Sequence, residues 1–138
     1  LVDGQLRVPL GAPFFQAGPA LVANTRADQA AVYQAAGHDF LTMMGDAGRV
    51  DLQGLLRELA DRGANEVLLE AGPRLAGAFA ALGLIDEYQL FVAAKFLGSS
   101  ARPLIDLPLE RMSEARELQI KDIRAVGEDW KVIAVPAN

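Results

Sequence analysis

A carboxylate, a glycine and a proline follow one another in the middle of this chain, where a strand is expected to give way to a helix. The apolar run 67–69 is typical of a buried strand, and it ends in Glu70. Gly72 then provides a turn, and Pro73 suits the first helical position because proline lacks the N–H group that a helix start leaves unpaired. Such a junction presents backbone N–H groups and the positive end of a helix dipole, so it predicts a site for a phosphorylated ligand.

Glu70 has two interpretations at this position. Open α/β sheets bind ligands beyond the carboxyl ends of their strands, so Glu70 either hydrogen-bonds a polar substrate or is a strand-end acid in water. Position alone favours neither. Ala76 and Gly77 have little bulk, which would let a flat ligand or a second stretch of backbone come close, and close packing of helix on sheet explains them equally well.

Several kinds of chemistry are excluded by composition. The chain has no cysteine and one histidine, so disulfides, thiol nucleophiles and cysteine-based zinc sites are ruled out. His38 lies between a glycine and Asp39, a setting more typical of the surface than of a catalytic site. Neither a dinucleotide fingerprint nor a Walker-type phosphate loop occurs. This lack of a nucleophile and of a metal set fits hydride transfer, in which a cofactor carries the reaction.

The bulk properties are those of a globular domain. The chain has 138 residues, of which 51% are hydrophobic, and this is enough for one domain with a packed core. Its net charge of −5 argues against nucleic acid or an anionic membrane as the main partner. No apolar run reaches the roughly 18 residues of a membrane span, and no secretory signal opens the sequence. Residues 1–3 resemble the tail of a strand already under way, so we expect further residues upstream.

Strands and helices are expected to alternate along the chain. This order predicts an α/β fold with a mostly parallel sheet, flanking helices and a C-terminal antiparallel hairpin. Thr25 and Asp51 are expected to cap the helices that follow them. Gly37, Gly63 and Gly83 are expected to end the three helices. Residues 4–19 are expected to form a surface loop, and 98–108 a second loop. The predicted strands cover 1–3, 20–24, 40–44, 66–69 and 87–95, the helices cover 27–36, 52–62 and 73–82, and the hairpin joins 118–126 to 130–135.

A longer run of residues around this junction carries a family resemblance. Residues 69–78 (LEAGPRLAGA), followed by GLIDE at 83–87 and AKFLG at 94–98, resemble the reductase domain of the bifunctional riboflavin-biosynthesis deaminase–reductase. The similarity also covers residues 2–9, Ala101 and Arg102, and 126–129, which is nearly the whole chain.

The resemblance implies a dihydrofolate-reductase-like fold and the NADPH-dependent reduction of 5-amino-6-(5-phosphoribosylamino)uracil. Hydride would go to the sugar C1 of the ring-opened imine. Glu70 inherits the role of substrate-binding and catalytic residue, orienting the substrate or relaying a proton as the ring opens. Cofactor contacts fall on the turn and helix start and on one residue near the N-terminus, namely Gly72, Pro73, Arg74, Leu75, Ala76, Gly77, Ala78 and Gly4. Two positions depart from the family: Arg74 replaces a small hydroxyl residue, and Gly4 replaces a serine that contacts NADPH.

Full members of this family begin with a zinc-dependent deaminase domain, of which this sequence contains nothing. We therefore expect residues 1–138 to be a partial reductase domain that lacks its own opening portion, with NADPH as cofactor and zinc confined to the deaminase. By itself it should be weakly active or inactive, and the enzyme should be a cytoplasmic homodimer. Two alternatives are another reductase of this fold that acts on a pterin or other carbonyl-like substrate, and a non-catalytic dimerisation fragment that associates through the apolar strand 88–94.

Overall fold

The structure is a computed structural model that describes residues 1–137. Its contacts divide the chain into two compact units, Leu1–Val67 and 68–137. No helix in the described part of the chain is both long and apolar enough to cross a membrane.

The first unit is built on a pair of parallel strands. β1 (Leu21–Asn24) and β2 (Asp39–Thr42) pair in register from Leu21 with Asp39 to Asn24 with Thr42. Val2 bridges Ala23 in the same parallel sense. The predicted strand at 1–3 is thus confirmed as a short extension of this pair. The helices and strands of the unit are α1 Pro13–Gln16, β1 Leu21–Asn24, α2 Ala30–Ala35, β2 Asp39–Thr42 and α3 Leu52–Asp61, with 3₁₀ turns at Ala27–Gln29 and Asp46–Gly48.

The core of the first unit forms around Phe15, Val22 and Tyr33, all of which are buried. The apolar side chains of Leu6, Val8 and Leu10 pack partly buried against it. Residues 4–19 therefore do not all lie on the surface as predicted, because the alternate apolar residues of this loop supply one wall of the core. Burial also raises the pKa of the Tyr33 hydroxyl, since the charged phenolate loses hydration there.

One of the two predicted N-caps is confirmed. The Asp51 carboxylate accepts the N–H of Gly54 at 2.9 Å at the start of α3. The prediction for Thr25 is wrong, because its hydroxyl donates to the Gly4 carbonyl at 2.8 Å. The nearby Asn24 side chain accepts the Arg26 N–H instead, at 2.7 Å.

The second unit contains a helix and a three-stranded antiparallel sheet. Its elements are α4 Pro73–Ala81, β3 Tyr88–Val92, β4 Leu118–Val126 and β5 Asp129–Pro136, with a 3₁₀ turn at Met112–Glu114. The strand order is β3–β5–β4, and both pairings are antiparallel. The predicted C-terminal hairpin is confirmed as β4 and β5, joined through Gly127 and Glu128. The α/β class is likewise confirmed, with more antiparallel pairing than the alternating order predicts, because β3 joins this sheet.

The prediction of a buried strand at 66–69 is wrong. Residues 64–72 adopt no strand, and Val67 and Leu68 are 49% and 78% exposed. A strand requires a neighbour to pair its N–H and C=O groups, and none of the five strands pairs with this segment. An apolar run alone does not supply that neighbour.

Candidate ligand-binding helix start

The start of α4 leaves backbone donors open. Gly72 is the N-cap with extended backbone (φ −70°, ψ 168°), Pro73 occupies the first helical position, and no side chain caps the helix. The Ala76 N–H donates to the Gly72 carbonyl at 3.1 Å. Within residues 1–137, the N–H groups of Arg74 and Leu75 have no hydrogen-bond acceptor. The predicted junction of turn and helix is therefore confirmed, with two donors directed to solvent or a ligand.

The charges at this helix start favour an anion. Its first turn contains no acidic residue. Arg74 stands there exposed, although a cation near a helix N-terminus is disfavoured by the helix dipole. Guanidinium and dipole both contribute positive potential, and a bound phosphate would relieve their mutual repulsion.

Exposure decreases along the first turns of α4. Gly72 and Arg74 are exposed, and Gly77 is buried. The residues that are intermediate in exposure, and thus reachable from one side, are Pro73, Leu75, Ala76 and Ala78. A ligand approaching from solvent therefore meets the turn and the first helical residues before it meets Gly77.

A second stretch of backbone covers Gly77. The Asp106 N–H donates to the Pro73 carbonyl at 3.0 Å, and a Cβ atom added to Gly77 would overlap the Asp106 carbonyl. Of the two sequence interpretations of Gly77, a flat ligand or a second backbone, the described structure contains the second. Asp106 itself was not singled out in the sequence, where only the unexpected glycine inside a helix signals a close approach.

Glu70 lies two residues before the N-cap, and its carboxylate is exposed. It accepts no hydrogen bond from any other described residue. An exposed acceptor beside open N–H donors gives this end of the second unit both charge signs, which suits a ligand that carries phosphate and polar N–H or hydroxyl groups.

Gly4 lies in the first unit, whereas the other predicted site residues lie in the second. Its carbonyl accepts the N–H and the hydroxyl of Thr25, at 3.1 and 2.8 Å. The nearest atom to an added Cβ would be Val50 Cγ2 at 3.6 Å, an ordinary contact. The position therefore has room for a side chain as small as that of serine, although in this chain only the backbone is present.

Three other polar residues have settings that the structure defines, namely His38, Lys95 and Arg102. His38 is buried rather than at the surface, so that prediction is wrong. Its Nδ1 accepts the Ala20 N–H at 3.3 Å, and its ring lies 4.8 Å from that of Phe15. The imidazole is thus part of the core of the first unit. Lys95 and Arg102 are both exposed.

An uncapped, basic helix start two residues after an exposed carboxylate is a candidate site for a phosphorylated ligand. The model of one family, the RibD C-terminal domain, matches residues 1–132, and the chain belongs to that family. The resemblance seen in the sequence is confirmed.

Individual relatives agree with this assignment. The riboflavin biosynthesis protein RibD of Escherichia coli K12 is 45% identical over 83 residues, covering 59% of this chain and 23% of that protein. A protein of Buchnera aphidicola subsp. Acyrthosiphon pisum named 5-amino-6-(5-phosphoribosylamino)uracil reductase is 32% identical, covering 64% of this chain and 43% of that protein. The chain thus spans less than half the length of these relatives.

Solved structures show the same fold. Acinetobacter baumannii RibD superposes with a TM-score of 0.84 at 27% identity, covering 99% of this chain and 36% of the other. The dihydrofolate-reductase-like fold class predicted from the sequence is therefore confirmed.

Proposed function

We propose that this chain is the reductase part of a riboflavin-biosynthesis deaminase–reductase, and that the whole enzyme reduces 5-amino-6-(5-phosphoribosylamino)uracil with NADPH. The observation that carries the proposal is the uncapped, basic start of α4 beside Glu70, in a chain of the RibD C-terminal domain family. The name of the Buchnera relative supplies the substrate. It also favours this reductase over one that acts on a pterin.

The residues at the helix start fit a dinucleotide cofactor. Open N–H groups on Arg74 and Leu75, together with the Arg74 guanidinium, would hold its phosphates. The small residues Ala76 and Ala78 would let it lie close to the helix. Gly72 and Pro73 shape the turn. NADPH, when bound, supplies the hydride.

Glu70 is proposed to act on the substrate. Its exposed carboxylate would accept hydrogen bonds from the substrate's N–H or hydroxyl groups and fix the orientation of the ribosylamine. The same carboxylate would take the proton from the glycosyl N–H and pass it to the ring oxygen as the bond between C1 and that oxygen breaks and the imine forms.

A turnover assay tests the proposed function. With the purified whole enzyme and the phosphoribosylaminouracil, the expected result is substrate-dependent loss of NADPH absorbance and formation of the phosphoribitylamino product. NADH replaces NADPH in one comparison, and a pterin replaces the phosphoribosylaminouracil in another. Both reactions should be slower. Consumption of NADPH with the pterin alone would favour a different reductase, and no consumption with any substrate would contradict the proposal.

We also propose that the protein is a cytoplasmic homodimer. β3 is an edge strand of its sheet, and Phe91 and Val92 are 63% and 51% exposed on it. An unpaired edge with exposed apolar side chains is a surface on which a second copy can pair. Sedimentation equilibrium is expected to give twice the protomer mass, and a protomer mass at micromolar concentration would contradict the dimer. The highly charged substrate and cofactor support the cytoplasmic location, since neither crosses a membrane unaided.

A further inference from the structure

The segment that joins β3 to β4, residues 93–117, is attached to α4 at both ends of that helix. At the helix start, the Asp106 N–H donates to the Pro73 carbonyl at 3.0 Å. At the helix end, the Arg116 guanidinium donates to the Ala81 carbonyl at 3.1 Å. We call this segment the β3–β4 connection.

The attachment at the helix start is also steric. The Asp106 carbonyl occupies the space in which a side chain at position 77 would begin. Glycine inside a helix lowers stability relative to alanine. The contact with Asp106 explains why glycine nevertheless stands at position 77, since a side chain there would overlap the Asp106 carbonyl. The carbonyl of Asp106 thus fits against Gly77 while its N–H bonds Pro73, and the two contacts fix one turn of the helix from outside.

The connection is itself held in place around these contacts. Ile105 and Leu107 flank Asp106 and are partly buried, although most of their neighbours in the connection are exposed. Further along, the Glu114 carboxylate accepts the N–H groups of Glu110 and Arg111, at 2.9 and 3.3 Å. The residues around Asp106 therefore form an anchored segment rather than a loose loop.

We propose that the β3–β4 connection is a clamp on α4, and that Asp106 and Gly77 are positioning residues for cofactor binding. The clamp holds the turn at Pro73 so that the N–H groups of Arg74 and Leu75 remain aligned and open. Gly77 then acts through the position of the helix and does not touch the cofactor. This inference rests on the proposed function for the identity of the ligand, NADPH.

The test compares Gly77→Ala with Gly98→Ala in the encoded protein. Gly98 belongs to the same connection, has no atom within 4 Å of an added Cβ and carries no strained φ, so its replacement controls for adding a methyl group. Two quantities are measured: hydrogen exchange at the Asp106 amide, and the steady-state KM and kcat for NADPH. If Gly77→Ala does not fold, Asp106→Pro removes the N–H that donates to the Pro73 carbonyl without changing the sequence of α4; this variant has no amide at position 106, so the steady-state KM and kcat for NADPH alone are compared with the parent.

For Gly77→Ala we expect exchange at Asp106 and KM for NADPH each to rise about tenfold, since small displacements of a binding group weaken binding strongly, with kcat within about twofold. Gly98→Ala should match the parent in both. Unchanged exchange and KM in Gly77→Ala would overturn the clamp. A raised KM with unchanged exchange would show that Gly77 touches the cofactor, and would overturn the positioning role. If the parent binds no NADPH, the proposed function fails, and exchange at Asp106 alone then decides whether the clamp exists.

Discussion

Glu70→Gln is expected to lower kcat about 100-fold, because general acid–base groups contribute roughly 10²–10⁴-fold. Glutamine keeps the size of the side chain and one hydrogen-bond acceptor, but it cannot take up a proton or carry the negative charge. The NADPH Kd should stay within about twofold, since the cofactor is assigned to the helix start and not to Glu70. Stability should change little, because the carboxylate is exposed and accepts no hydrogen bond from the other described residues.

Glu66→Gln is the matched control for this variant. Glu66 lies in the same exposed segment as Glu70, so its replacement removes the same charge from the same stretch of chain. Stopped-flow or steady-state kinetics with saturating NADPH would separate turnover from binding. A kcat for Glu70→Gln within about twofold of the parent, or an equal loss in Glu66→Gln, would refute the role of Glu70.

Arg74→Glu is expected to raise the NADPH Kd about 30-fold, corresponding to roughly 2 kcal/mol of lost interaction between phosphate, guanidinium and helix start. The substitution places a carboxylate where the phosphate is expected to bind. It should also reverse the contribution of this position to the ionic-strength dependence of NADPH binding, because salt then screens a repulsion between carboxylate and phosphate in place of an attraction. In the absence of cofactor the helix should be slightly stabilised, since an acid is favoured in the first turn.

Arg57→Glu changes the net charge by the same amount on an exposed position of α3, and serves as the control for Arg74→Glu. Its NADPH Kd should be close to that of the parent. Isothermal titration calorimetry at two salt concentrations gives the NADPH Kd and its dependence on ionic strength. Equal effects of the two substitutions would mean that only overall charge matters, and an unchanged Kd in Arg74→Glu would place the phosphates elsewhere.

Local signals in the sequence were sufficient for α2, α3 and α4 and for their C-terminal ends, but not for α1, which lies in the predicted loop 4–19. The predicted helix ends lie at Gly37, Gly63 and Gly83. Each of these glycines has a positive φ and lies just after its helix. The Asp51 cap and the proline at the start of α4 were predictable for the same reason, because capping depends on a few neighbouring residues. The candidate site was predictable because it is itself a helix start.

Contacts between distant segments were not predictable. The apolar run at 66–69 has the composition of a strand, but strand formation depends on a partner that composition does not reveal. His38 packs in a core that also contains Phe15 from α1 and Tyr33 from α2. Likewise, the glycine at position 77 indicated a close neighbour, but nothing in the sequence singled out Asp106 as that neighbour.

The central claim, that the start of α4 holds the phosphates of the cofactor, is tested most directly by amide chemical shifts during titration with NADPH. The account predicts that the largest changes occur at the Arg74 and Leu75 amides, whose N–H groups have no acceptor among residues 1–137. These changes should be lost in Arg74→Glu and retained in Arg57→Glu. Saturable NADPH binding with unchanged shifts at Arg74 and Leu75 would contradict the account.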